Sequence, residues 1–178
     1  MVAQEVQEHL GSYAFCRINP SYLHPLFLKR LRGLIAAAAK RGVEYWAISG
    51  YRSIEEQAAL YAKGREGDYV FNKSLVVTNA KPGYSAHNYG IAVDLCKDGF
   101  TDRAGLQPSY KPGDYSLLGE LAPRFGLLWG GTFKMADGPH IQLPGYVSGK
   151  ELEALRVLYM TGGMEAVHKK ITEALGDK

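Results

Sequence analysis

His87, Asp94, Asp137 and His140 are the residues whose types and spacing can do chemistry. They fall in two clusters, Ser85-Ala86-His87-Asn88-Tyr89-Gly90-Ile91-Ala92-Val93-Asp94 and Asp137-Gly138-Pro139-His140. Two imidazoles and one carboxylate make a three-ligand zinc set with a fourth position open for water, the layout of a catalytic zinc. His87, Asp94 and His140 are the candidate ligands. Asp137 is then the spare carboxylate, able to act on that water as general base. Singly, each residue has an ordinary reading, as a core or surface His or as an Asp in a Gly turn. Coincidence lifts the joint reading, because two of only five His residues lie in dense Gly/Pro/Asp contexts.

Geometry limits how these residues can meet. His87 and Asp94 are seven positions apart, about 23 Å if extended and about 10 Å on a helix. Both spans are too long for ligands about 2 Å from one metal. The chain must therefore turn between them, and Asn88-Tyr89-Gly90 is where it can, since Asn and Gly tolerate positive φ. Ile91 to Leu95 then reads as a short strand carrying Asp94. Pro139 pushes Gly138 out of the helical region. His140-Ile141-Gln142-Leu143 alternates polar and apolar, so His140 opens a strand.

The remaining elements read as scaffold. Leu23, Phe27, Leu31, Leu34, Ile35 and Ala38 recur at helical spacing, with Pro25 near the start and Gly42 at the end. Val43 to Ser49 is a strand. Ser53-Ile54-Glu55-Glu56 is a capping box opening a second helix to about Gly64, so Arg52 lies at a strand-to-helix corner. Arg65 to Tyr84 is a long loop whose aromatics, Tyr69, Phe71 and Tyr84, anchor it or line a groove. Phe100 to Gly113 is another Gly/Pro/Asp-rich connection. Tyr115 to Phe125 marks a third helix, shortened by Pro123 and Gly126. Leu127-Leu128-Trp129 is a strand, and Gly130-Gly131 lets the chain approach something closely. Lys150 to Leu175 forms two helices broken at Thr161-Gly162-Gly163, with His168 in a Lys-rich, solvated stretch. The division expected is a catalytic domain over residues 1–149 and a helical hairpin over 150–178, packed on it.

Composition agrees with a compact enzyme. The chain has 178 residues, 46% of them hydrophobic, and a net charge of +3. That charge is too small to argue nucleic-acid binding, although a mildly basic surface suits an anionic cell envelope. No apolar stretch approaches a membrane span. Residues 1–20 lack the charged start and apolar run of a signal peptide, so the expectation is synthesis in the cytoplasm. Cys16 and Cys96 form no Cys-x-x-Cys pair. Cys96 is expected as a buried thiol near the site, and a Cys16–Cys96 disulfide is disfavoured. A monomer is expected.

Ser85-x-His87-x-x-Gly90-x-Ala92-x-Asp94 followed by Asp137-x-x-His140 resembles the M15 zinc peptidases, which include VanY-type D,D-peptidases and phage L-alanyl-D-glutamate endopeptidases. Ser49-Gly50-Tyr51-Arg52-Ser53 and Gly126-Leu127-Leu128-Trp129-Gly130-Gly131 match as well, and the resemblance runs from about Pro25 to Leu143. It implies an α+β fold, a small, mainly antiparallel sheet with packed helices, of the hedgehog/D,D-peptidase kind. It implies Zn2+ on His87, Asp94 and His140, with Asp137 as catalytic base and Arg52 as the cation near the scissile carbonyl. The implied partners are peptidoglycan stem peptides, and the implied reaction is hydrolysis of the L-Ala–D-Glu bond by a phage endolysin acting on the cell wall. Many members carry Glu at the base position, whereas Asp resembles the phage branch. The alternatives are a D-Ala-D-Ala carboxypeptidase of the same fold and a catalytically silent zinc-bound wall-binding module.

Overall fold

The computed structural model describes residues 14–15, 17–65, 73–98, 107–109, 111–147 and 149–176. By its internal contacts the chain divides into two compact units, residues 1–51 with 91–144 and residues 52–90 with 145–178.

The first unit carries the sheet. Helix α1 (Pro25–Ala39) begins on Pro25, whose fixed φ suits the first helical position. Its buried stripe is Phe27, Leu31, Leu34, Ile35 and Ala38, as its spacing predicts. Gly42, at φ 75°, turns the chain towards strand β1 (Tyr45–Ser49). Strand β2 spans Ala92–Lys97, helix α2 (Ile54–Ala62) belongs to the other unit, and α3 is Ser116–Leu121. A 3-10 turn over Ala122–Phe125 ends at Gly126 (φ 63°), followed by β3 (Leu128–Trp129) and β4 (His140–Gln142). The strands lie in the order β1-β2-β4-β3, every pair antiparallel. Tyr45, Ala47, Val93, Leu95, Leu118, Leu121, Ile141 and Leu143 fill the core with the α1 stripe. Each buried Leu or Ile there stabilises by about 1.5–3 kcal/mol before its ordering entropy is counted.

The second unit is helical. Helix α2 (Ile54–Ala62) opens on the expected capping box: Glu56 N–H donates to Ser53 Oγ at 3.1 Å, and Ser53 N–H to Glu56 Oε2 at 2.8 Å. Two 3-10 turns follow, Lys73–Leu75 and Ala86–Tyr89. Helix α4 (Gly149–Leu175) is broken at Gly163 (φ 69°, ψ −170°), within the predicted glycine break. Leu152, Leu155, Val167 and Ile171 are its buried residues.

The architecture is thus α+β, four α-helices with a four-stranded antiparallel sheet among the described residues. No helix among them is long and apolar enough to cross a membrane. Cys96 is buried and unbridged, and burial pushes its thiol up to about 11. Cys16, Tyr69, Phe71 and most of the Phe100–Gly113 connection lie outside the described residues.

Candidate active site

Asp94 and His140 face each other across the β2–β4 pairing, as direct register partners. His140 Nδ1 lies 3.2 Å from Asp94 Oδ1. His140 is buried, and its ring packs 5.6 Å from the Phe133 ring. Burial disfavours a charged imidazole, but Asp94 through its hydrogen bond and charge, the Gln142 side chain and the Asp137 charge outweigh it. The ring is therefore held above the ordinary histidine value.

Asp137 sits on a turn whose backbone is pinned from several sides. Its N–H donates to Gly130 O at 2.9 Å, and its C=O accepts from His140 N–H at 3.2 Å. The Trp129 indole N–H donates to Gly138 O at 2.7 Å, and Leu95 N–H to Pro139 O at 2.9 Å. Gly130 answers the expectation of a close approach. A Cβ there would stand 2.6 Å from Asp137 O and 2.8 Å from the His140 Cβ. Trp129 thus has a definite task, holding the Asp137–His140 turn.

His87 stands on the Ala86–Tyr89 turn and is buried. The chain does reverse just after it. Gly90 alone takes the left-handed conformation (φ 66°), while Asn88 stays in the 3-10 turn. Asn88 has a different role, which sequence reasoning missed. Its Nδ2 donates to Arg52 O at 2.9 Å and to Ser53 O at 3.2 Å, while Arg52 N–H donates to His87 O at 3.1 Å. The His87 turn is thereby laced to the Arg52 corner. Arg52 Nη1 donates to Gln57 Oε1 at 2.9 Å, and the buried Gln57 is itself anchored to Ala80 O at 2.7 Å.

Helix α4 also holds this turn. Tyr159, before the break, meets the Tyr89 ring edge-on at 6.4 Å. His168, after it, has Nε2 3.0 Å from Tyr89 O. His168 is therefore not on the solvated face that its lysine neighbours suggested. It is half-buried because it follows the buried Val167 and precedes Ile171 on one side of the helix. Burial lowers its pKa, against the opposing effect of the Tyr89 hydrogen bond. Tyr84 anchors its loop by donating its hydroxyl to Glu153.

One ligand atom from each of His87, Asp94 and His140 lies within 4.8 Å of the others, so the three form a group that can hold a metal ion. Two imidazoles and a carboxylate at that spacing suit one small divalent cation about 2 Å from each. A fold of this kind with a His-Asp-His metal group points to a metallo-hydrolase.

Comparison with known proteins agrees. Residues 20–136 match the VanY family, described as D-alanyl-D-alanine carboxypeptidase. The chain belongs to that family and is an enzyme, a metallopeptidase. It is 36% identical over 130 residues to the peptidoglycan L-alanyl-D-glutamate endopeptidase CwlK of Bacillus subtilis (strain 168), covering 70% of this chain and 75% of that protein. The fold is shared with a variant of the vancomycin-resistance D,D-pentapeptidase VanY from a VanB-type cassette, solved with Zn(II). There the TM-score is 0.51 and the identity 24%, over 76% of this chain and 78% of that one. It is shared also with the LD-carboxypeptidase LdcB, at TM-score 0.51 and 22% identity, over 83% of this chain and 69% of that one. The family match stops one residue before Asp137, so geometry must speak for Asp137 and His140.

Proposed function

We propose that this protein is a zinc-dependent peptidoglycan peptidase that hydrolyses the L-Ala–D-Glu bond of stem peptides. The observation that carries the reading is the convergence of His87, Asp94 and His140 within 4.8 Å. The choice of bond is supported by the similarity to CwlK. Asp at position 137, where many members carry Glu, extends the proposal to a phage-type lysin acting on the cell wall. The chemistry belongs to residues 1–149, and residues 150–178 support the His87 turn.

In this mechanism His87, Asp94 and His140 hold the ion. When bound, it supplies a Lewis acid for the scissile carbonyl and lowers the pKa of the attacking water. Asp137 takes the proton as that water attacks the carbonyl carbon, then passes it to the departing amine as the C–N bond breaks. The pinned Gly-Pro turn suits this work, because a base must keep its position while its charge changes. Arg52, with one guanidinium nitrogen fixed by Gln57, stabilises the negative charge that develops on the carbonyl oxygen.

The family description favours a second reading, removal of the terminal D-Ala. Digestion of purified peptidoglycan, with mass spectrometry of the products, separates the two. Fresh D-Glu amino termini, with L-Ala retained on the muramyl side, are expected. Free D-Ala with the L-Ala–D-Glu bond intact would move the protein to the carboxypeptidase branch. No cleavage by metal-loaded protein would leave a silent wall-binding module.

A further inference from the structure

Gln142 lies two residues beyond His140 on β4, on the same face of the strand. Both residues are buried, with Gln142 only 3% exposed. Strict alternation predicts a polar face turned to water, yet here that face is closed. A buried carboxamide is costly unless its polar atoms are paired. Its Oε1 lies 2.9 Å from His140 Nε2, and its Nε2 donates to Leu143 O at 3.1 Å. Leu143 is itself fixed, its N–H donating to Ile91 O at 3.0 Å.

The chemistry of these partners decides where the imidazole proton sits. The Leu143 carbonyl can only accept, so the amide nitrogen of Gln142 must point towards it. Oε1 is then the atom facing the ring, and it too can only accept. His140 Nε2 must therefore carry hydrogen in either charge state. In the neutral ring the lone pair falls on Nδ1, the nitrogen 3.2 Å from Asp94 Oδ1. Phe133 packs against the same ring and resists its rotation.

We infer that Gln142 is a positioning residue that fixes the tautomer of His140, keeping hydrogen on Nε2 and presenting Nδ1 as the ligand nitrogen. A ligating His commonly donates its other N–H to an acceptor that orients the ring and raises its basicity. Here that acceptor is a neutral amide held in turn by the sheet. This inference rests on the metal site proposed above.

Nitrogen NMR of the His140 ring in the zinc-loaded protein tests it, together with zinc titration of Gln142→Leu and Gln142→Glu. Wild-type protein should show hydrogen on Nε2 and metal at Nδ1. Gln142→Leu keeps the volume but removes the acceptor, and zinc affinity should fall about 10–100-fold. Gln142→Glu restores an acceptor and should recover most of that loss, which a merely structural role does not predict. Zinc on Nε2 in the wild type, or unchanged affinity in a folded Gln142→Leu, overturns the inference. If Gln142→Leu does not fold, the wild-type spectrum and the Glu variant still decide. Wild-type protein that takes up no zinc would refute the metal site itself, a different failure.

Discussion

Asp94 and His140 are held by backbone. Each sits on a strand whose register fixes its partner, and the Asp137 turn is pinned mainly through main-chain groups of Gly130, Leu95 and His140, with the Trp129 indole added. His87 is held mainly by side chains. Asn88 laces its turn to the Arg52–Ser53 corner, and Tyr159 and His168 of α4 meet Tyr89. A sheet resists local opening because its hydrogen bonds break together. A short 3-10 turn has few bonds of its own and borrows rigidity from whatever packs against it. The proposed metal set therefore combines two ligands fixed by the sheet with one whose precision depends on distant residues.

The largest effect should come from the chemistry, on the backbone-held side. Asp137→Asn keeps the shape and removes the proposed base. Turnover should fall by about 10²–10⁴, with bound zinc and thermal midpoint unchanged. Near-normal turnover would show that another group takes the proton. Loss of zinc would mean that Asp137 is a ligand.

The next pair of variants probes how each region is held. Gly130→Ala puts a methyl against Asp137 O and the His140 Cβ, where there is no room. Overpacking of this kind costs about 1–3 kcal/mol, and activity should fall with stability because the turn carrying Asp137 must shift. Asn88→Ala takes the buried Asn88 donor away from the part-buried Arg52 and Ser53 carbonyls. It should cost about 1–3 kcal/mol in urea unfolding and weaken zinc binding. Unaltered zinc affinity in Asn88→Ala would show that the His87 turn does not need its lacing.

The two regions also differed in how well they could be read in advance. The α1 stripe, the capping box at Ser53, the strands carrying Asp94 and His140 and the break near Gly163 all follow from local pattern. The candidate ligands were legible too, because their types and spacing are unusual together. The supporting residues were not. Gln142 gave a faint signal, sharing a strand face with His140, but alternation alone does not say whether a polar face meets water or a site. Asn88 looked like a residue chosen for its backbone freedom, whereas its side chain is what matters. His168 gave no local signal, since its contact with Tyr89 spans 79 positions.

That contact gives a smaller test of the side-chain-held region. In His168→Ala the Tyr89 carbonyl loses one donor at a half-buried site. The cost should be about 0.5–1.5 kcal/mol, with faster hydrogen exchange at the Gly90 amide, which donates to His87 O in the same turn. Exchange changing only within α4 would show that the helix does not brace the His87 turn.

The smallest effect concerns acid and the residues that tie α4 to Tyr84. Glu153 accepts from Arg156 Nε and Nη2 at 3.0 and 3.1 Å, and from the Tyr84 hydroxyl. Arg156 first, and then Tyr84, hold the Glu153 carboxyl down at about 2, against an ordinary 4.5. Between those values the unfolded chain binds the proton more readily than the folded one. The stabilisation is therefore complete above about 4.5 and is lost as pH falls through about 2. The group is solvent-exposed, so screening keeps the gain small. Glu153→Gln should flatten that part of the acid-unfolding profile and leave neutral-pH turnover unchanged. High salt should have the same direction of effect on the wild type, since it screens the ion pair. A variant profile that still falls as steeply as wild type between pH 4.5 and 2 would place the acid sensitivity in other carboxylates. Asp114 is the next to examine, because Ser109 and Lys97 hold its carboxyl below the ordinary range on the sheet side of the comparison.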